Sequence, residues 1–258
     1  MRLIITESYE QSARLAAADI TEIVKAKPKA LLGLATGSTP ISVYRYMVED
    51  AKHDVDYTQV RTLNLDEYIG LAGEDENSYL YFMRQHLLDP CGIPMEHVMI
   101  PNGLGEVEAE LRRMNEFADA NPIDVQLLSV GVNGHIGFNE PDNRFYDHYH
   151  TVTLTERTRQ SNSRLFHSID EVPKAAITMG VGGIMRAAKI VFLATGEEKR
   201  AAMRAILEDG DVTPFNQGTV LKLHRDCVIY LDRQTAVGIK PAAYVSVQYA
   251  EEAGGNTI

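Results

Sequence analysis
The segment that most constrains this chain is Ile123-Asp-Val-Gln-Leu-Leu-Ser-Val130, which runs directly into Gly131-Val-Asn-Gly-His-Ile-Gly-Phe-Asn-Glu-Pro141. The first half is a short, largely apolar run, the pattern of a strand buried on both faces of a parallel sheet. The second half cannot continue that strand. Gly131, Gly134 and Gly137 admit backbone angles that other residues resist, Asn133-Gly134 is a turn signal, and Pro141 closes the segment. Asn133, His135, Asn139 and Glu140 are therefore expected on a tight loop at the carboxyl end of a strand, where open α/β sheets bind ligands. A histidine beside an amide and a carboxylate can be a general base with its tautomer fixed by a neighbour. Three glycines could equally make a tight turn in which His135 satisfies only a backbone group. The stretch alone leaves both readings open.

The same grammar recurs along the chain. Short apolar runs at Leu3 to Ile5, Ala30 to Ala35, Val60 to Leu65, Ala175 to Met179, Ile190 to Ala194 and Cys227 to Leu231 read as strands, and Tyr149 to Leu154 as one with polar alternation. Helices are expected between them. One follows the capping box Ser8-Tyr-Glu-Gln11 and ends at Pro28; another begins with Thr39 as cap and Pro40 as first residue. Ser78 to Leu88, stopping before Pro90, Glu106 to Ala118, and Glu197 to Leu207 complete the set. Strands alternating with helices predict an α/β fold, a mostly parallel sheet with helices on both faces. No linker or repeat cuts the chain, so residues 1–258 are expected to form one domain. The polar stretch Glu156 to Ser168 lacks an apolar face and reads as a site-covering segment.

Composition narrows the partners. A formal charge of -11 argues against nucleic acid or an anionic membrane, both of which need a basic footprint. Cys91 and Cys227 lie far apart with no CxxC spacing, no signal peptide precedes Arg2, and no apolar run reaches the roughly 20 residues of a membrane span. A cytoplasmic protein with free thiols is expected.

Three further features bear on chemistry. Thr36-Gly37-Ser38-Thr39 lies between a strand and a helix amino terminus, where free N–H groups favour an anion such as a phosphate. It has neither the lysine of a nucleotide-binding P-loop nor a GxGxxG, so neither ATP nor a dinucleotide cofactor is indicated. Asp66-Glu67 ends another strand, where a rigidly held carboxylate can move a proton between adjacent carbons. Arg164 and Lys199 are candidate phosphate cations. In Asp147-His-Tyr-His150 alternating residues share a strand face and could look like a pair of metal ligands, but spacing places no third, and no metal is assigned.

Taken together, Leu32-Gly-Leu-Ala-Thr-Gly-Ser-Thr-Pro40, Leu63-Asn-Leu-Asp-Glu-Tyr-Ile-Gly70, Val130 to Pro141, Ser161-Asn-Ser-Arg164 and Val172-Pro-Lys174 resemble the glucosamine-6-phosphate deaminase (isomerising) family nearly end to end. The resemblance implies a Rossmann-like sheet without a dinucleotide, and an enzyme that converts an amino sugar phosphate to fructose 6-phosphate and ammonia without a cofactor. It implies that His135 opens the sugar ring, that Glu140 and Asn133 orient it, and that Asp66 carries a proton from carbon 2 to carbon 1. The phosphate would rest on Thr36, Gly37, Ser38 and Thr39, clamped by Arg164 and Lys199, with Glu67 nearby and residues 156–173 as a lid. Many members carry aspartate where Asn133 stands. Some are hexamers with an effector site for N-acetylglucosamine 6-phosphate, so a homo-oligomer is within the family's range. At that site's cationic positions this chain has His150 and Val152, with Asn143 in place of a serine. A 6-phosphogluconolactonase and a sugar-phosphate sensor of the same fold are the alternatives, but Phe138-Asn-Glu-Pro141 and Asp66-Glu67 favour the deaminase.

Overall fold
A run of apolar residues with no polar alternation can only be a strand covered on both faces, and the described residues bear this out at the centre of the molecule. The computed structural model describes residues 1–163 and 166–251. Its strands, in chain order, are β1 (Arg2–Thr6), β2 (Leu31–Leu34), β3 (Arg61–Asn64), β4 (Asp66–Tyr68), β5 (Val98–Met99), β6 (Val125–Leu128), β7 (His150–Thr153), β8 (Ala175–Thr178), β9 (Lys189–Ala194), β10 (Cys227–Asp232) and β11 (Ser246–Tyr249). Eight of them form a parallel sheet in the order β11-β1-β10-β9-β6-β2-β3-β5.

Successive residues of each central strand feed opposite cores, as the pleat requires. Leu32, Leu34, Leu127, Val191 and Leu193 pack with Ala16, Ile20, Tyr44 and Met47 from the helices Tyr9–Ala26 and Ile41–Ala51. Leu31, Leu128, Ile190 and Phe192 pack on the other side with Met114 and Ile206 from Val107–Ala120 and Arg200–Leu207. Among the described residues no helix is long and apolar enough to cross a membrane.

The structure departs from the expected elements in four places. β8 is as apolar as a central strand, yet it leaves the parallel sheet and pairs antiparallel with β4 and β7 in a small second sheet. β4 itself is where the chain of β3 turns after Leu65 to join that sheet. Pro40, not Thr39, is the cap of Ile41–Ala51; its ring has no polar atom to make a cap bond, and the Thr39 hydroxyl accepts from Lys199 instead. The helix capped by Ser78 does not stop before Pro90. It widens into a π turn at Arg84–Leu88 and continues as Asp89–Cys91, with Pro90 among the first positions of that last piece, where a missing donor is tolerated. The short β5 and the exposed β11 carry no clear sequence signal.

Candidate active site
The strand order β9-β6-β2-β3 sets four loops side by side at the carboxyl edge of the large sheet. A cavity of about 530 Å³ opens over them, lined by Thr36–Thr39 after β2, Asp66 after β3, Ser129–Glu140 after β6 and Lys199 after β9. Four separate stretches of sequence thus meet in one place.

One end of the cavity suits an anion. Gly37 turns the chain with φ +104° between β2 and the following helix, so the cavity wall includes a strand-to-helix junction of the kind that favours anions. Lys199 donates from Nζ to Thr39 Oγ1 at 3.0 Å and Ser129 Oγ at 3.2 Å. Burial pulls the Lys199 pKa down, since its hydrogen-bond partners are neutral hydroxyls; an arriving phosphate would restore the charged form.

The other end carries proton-transfer groups. Asn133 Nδ2 donates to Glu140 Oε2 at 2.6 Å, and Asn133 Oδ1 lies 2.7 Å from His135 Nδ1. A carboxylate only accepts, so the amide nitrogen must face Glu140 and the amide oxygen His135. That oxygen in turn needs a donor, which places the proton of neutral His135 on Nδ1 and leaves Nε2 as the basic nitrogen. Glu140 is 3.9 Å from the imidazole and acts on it through the amide. Gly131 is needed for space: a Cβ there would lie 2.0 Å from His135 Cε1. The sequence reading gave that glycine a backbone role, but its φ is not positive.

Asp66 faces this loop from β4. Only 5% of it is exposed, and it accepts from the Thr178 hydroxyl on β8. Gly137, at φ +58°, lets the loop approach so closely that a Cβ would lie 3.0 Å from both Asp66 Oδ2 and Thr178 Oγ1. Phe138 N–H donates to the same Thr178 oxygen at 3.2 Å. Burial, and then the neighbouring Glu67 charge, push the Asp66 carboxyl up to about 8.

Glu67 does not join the cavity. It accepts from the backbone N–H groups of Tyr68, Tyr79 and Leu80 at 2.8, 3.0 and 3.0 Å, holding the start of the helix Tyr79–Met83 against β4. Burial raises its carboxyl to about 7, against the lowering effect of those three donors. Neighbours on a strand point to opposite faces, so Asp66 faces the cavity while Glu67 holds the helix that borders it. Arg164 lies outside the described residues.

Residues not singled out from the sequence also line the cavity. Ser129 and Tyr79 bracket the anion end, with the Tyr79 hydroxyl bonded to Thr36. Thr158 and Asn162 come from the helix Glu156–Asn162, the first part of the expected covering segment. Asn162 donates to the Tyr68 hydroxyl at 2.8 Å, and Arg159 ties the helix to the carbonyl of Ile169. Thr178 is the one polar residue inside the apolar run Ala175 to Met179, and the fold makes it the last residue of β8 beside Asp66.

The neighbours in sequence and structure agree with this geometry. Residues 6–222 match the family described as glucosamine-6-phosphate isomerases/6-phosphogluconolactonase. A glucosamine-6-phosphate deaminase of Thermoanaerobacter sp. (strain X514) is 46% identical over 239 residues, 92% of this chain and 94% of that one. That of Clostridium beijerinckii is 40% identical over 243 residues, 93% and 100% of the two chains. A solved monomeric glucosamine-6-phosphate deaminase superposes with a TM-score of 0.87 at 40% identity, covering 92% of this chain and 99% of the other. A 6-phosphogluconolactonase from Leishmania guyanensis, with TM-score 0.74 and 20% identity over 93% of this chain and 98% of the other, shares the fold alone. The chain belongs to the glucosamine-6-phosphate isomerase/6-phosphogluconolactonase family, and within it to the glucosamine-6-phosphate deaminases.

Proposed function
We infer that this chain isomerises and deaminates glucosamine 6-phosphate, giving fructose 6-phosphate and ammonia. The observation that carries the reading is the meeting, in one cavity, of a buried carboxyl, an oriented imidazole and a half-buried ammonium. The phosphate sits on Thr36, Gly37, Ser38 and Thr39 and pairs with Lys199. His135 Nε2 takes the proton of the anomeric hydroxyl, and the ring oxygen, receiving a proton, leaves carbon 1 as an open aldehyde. Asn133 and Glu140 keep the basic nitrogen facing the sugar.

Asp66 then removes the proton from carbon 2 while a proton of the substrate's ammonium passes to the oxygen on carbon 1, giving an enolamine; it returns a proton to carbon 1, giving an imine, to which water adds at carbon 2 as the carbon–nitrogen bond breaks to leave ketone and ammonia. Asp66 is largely neutral in the empty cavity, with its carboxyl raised to about 8. The substrate's ammonium group on carbon 2 arrives beside it and favours the carboxylate, so the base forms where it is needed. Every step is a proton transfer or the addition of water, within reach of side chains alone.

The chain works as one domain, since both cores share the strands of a single sheet. Residues 156–173 act as a lid, supported by Thr158 and Asn162 on the cavity wall; amide exchange there is expected to slow when a substrate analogue binds, and unchanged protection would reject the lid. The activity is tested with purified protein and glucosamine 6-phosphate under a coupled readout of ammonia and fructose 6-phosphate. Turnover of 6-phosphogluconolactone without ammonia from the amino sugar would overturn the reading.

A further inference from the structure
Thr158 makes a contact that the mechanism above does not use. Its hydroxyl donates to Glu140 Oε1 at 2.7 Å, while Glu140 Oε2 accepts from Asn133. Each oxygen of the carboxylate therefore has a side-chain donor, one from the loop after β6 and one from the helix Glu156–Asn162. The polarity of the chain of bonds is fixed by chemistry. Glu140 only accepts, so Thr158 must spend its single hydroxyl hydrogen on it. Thr155 Oγ1, 2.9 Å from Thr158 Oγ1, must then be the donor in that pair. The chain runs Thr155 to Thr158 to Glu140, and from the other side His135 to Asn133 to Glu140, converging on one carboxylate.

We propose that Thr158 is a positioning residue, which fixes the proton-bearing nitrogen of His135 by holding Glu140 and, through it, the Asn133 amide. The proposal rests on His135 being the ring-opening base. Without the Thr158 donor, Glu140 keeps one restraint, and its Oε2 stands 3.9 Å from His135 Nδ1, close enough for a small rotation to bypass the amide. An amide no longer held by Glu140 can turn its nitrogen toward the ring, and the imidazole then loses its acceptor at Nδ1. A neutral imidazole left to itself in water prefers the proton on Nε2, the nitrogen that must be bare to act on the sugar. Helix stability is a separate matter: the cap bond from Thr158 to Thr155 Oγ1 uses the backbone N–H, which every substitution except proline retains.

Two variants separate these roles, Thr158→Val, which keeps the shape without the donor, and Thr158→Ser, which keeps the donor. The ring nitrogens of His135 are read by ¹⁵N NMR in the full chain without ligand, so this arm does not depend on turnover. The wild type and Thr158→Ser are expected to hold the proton on Nδ1, and Thr158→Val to show a clear Nε2–H population. In the ammonia assay Thr158→Val is expected to lower kcat roughly 10- to 100-fold with KM nearly unchanged, and Thr158→Ser to recover most of it. An unchanged tautomer in Thr158→Val overturns the proposal, as does equal loss in both variants or a loss confined to KM. An inactive wild type with the expected tautomers would instead reject the activity and leave the positioning role standing.

Discussion
The two sheets contribute to the same site by different means, and the loop after β6 of the large sheet reaches across to the proton-transfer end. The large parallel sheet builds the anion end, and it does so mainly with backbone, a strand-to-helix turn at Gly37 and one lysine between two hydroxyls. The small antiparallel sheet builds much of the proton-transfer end with side chains. Asp66 stands on β4, Thr178 beside it on β8, and the helix carrying Thr158 follows β7. Binding a phosphate needs only donors and charge, which any strand-to-helix junction offers. Moving a carbon-bound proton needs a base that is dry and rigid, and a second sheet laid against the first provides both.

The strongest way to break that division is at Asp66. Asp66→Asn is expected to reduce kcat roughly 100- to 10,000-fold while leaving substrate binding nearly intact. Because the Asp66 carboxyl is raised to about 8, kcat/KM of the wild type should climb with pH and level off above that value. The sign for stability is opposite. A folded pKa above the unfolded one gives stability that is complete below about pH 3.8 and is lost as pH rises to about 8, so Asp66→Asn should raise Tm by ~2–4 °C at pH 8 and only slightly at pH 4. Calorimetry at the two pH values checks this, and a Tm that falls in the variant would show that the buried charge is well compensated.

Lys199→Met probes the other sheet and should appear in KM. Losing a charge-assisted partner of the phosphate should raise KM roughly 10- to 100-fold with a smaller change in kcat. A fall in kcat at constant KM would erase the distinction between the ends. Gly137→Ala acts at the seam, where β4, β8 and the loop after β6 meet. The left-handed backbone and the approach to Asp66 and Thr178 should together destabilise by ~1–2 kcal/mol and lower kcat about tenfold. Denaturant melting beside kinetics separates the two effects.

The smallest expected effect is that of N-acetylglucosamine 6-phosphate. His150 stacks on Tyr146 at 3.9 Å and burial keeps its pKa low, Val152 is apolar, and Arg144 lies over the Tyr146 ring and donates to its hydroxyl at 2.8 Å. The nearby arginine is thus already engaged. Substrate curves should be hyperbolic with or without the compound, and a sigmoid that it straightens would show an effector site.

What could be read from the sequence follows the same divide. β2, β6, β9 and β10 are apolar at nearly every position because both faces are covered, and the segments that follow the first three drew the sequence reading to a site for that reason. The small sheet was not legible, because β8 reads Ala-Ala-Ile-Thr, as apolar as its parallel counterparts, and only its distant partners decide where it lies. Adjacency in sequence joined Glu67 to Asp66, whereas strand alternation points the two carboxyls to opposite faces. Thr158 and Thr178 are ordinary threonines in sequence; their importance arises from what folds against them.

The hydroxyl partners of Lys199 bear on how the protein should be handled at the bench. A half-buried ammonium whose hydrogen-bond partners are neutral hydroxyls attracts any tetrahedral oxyanion, and inorganic phosphate or sulfate should compete with the sugar for it. Apparent affinity would then vary with the choice of buffer salt. Rates measured in phosphate and in an amine buffer should differ in KM and agree in kcat.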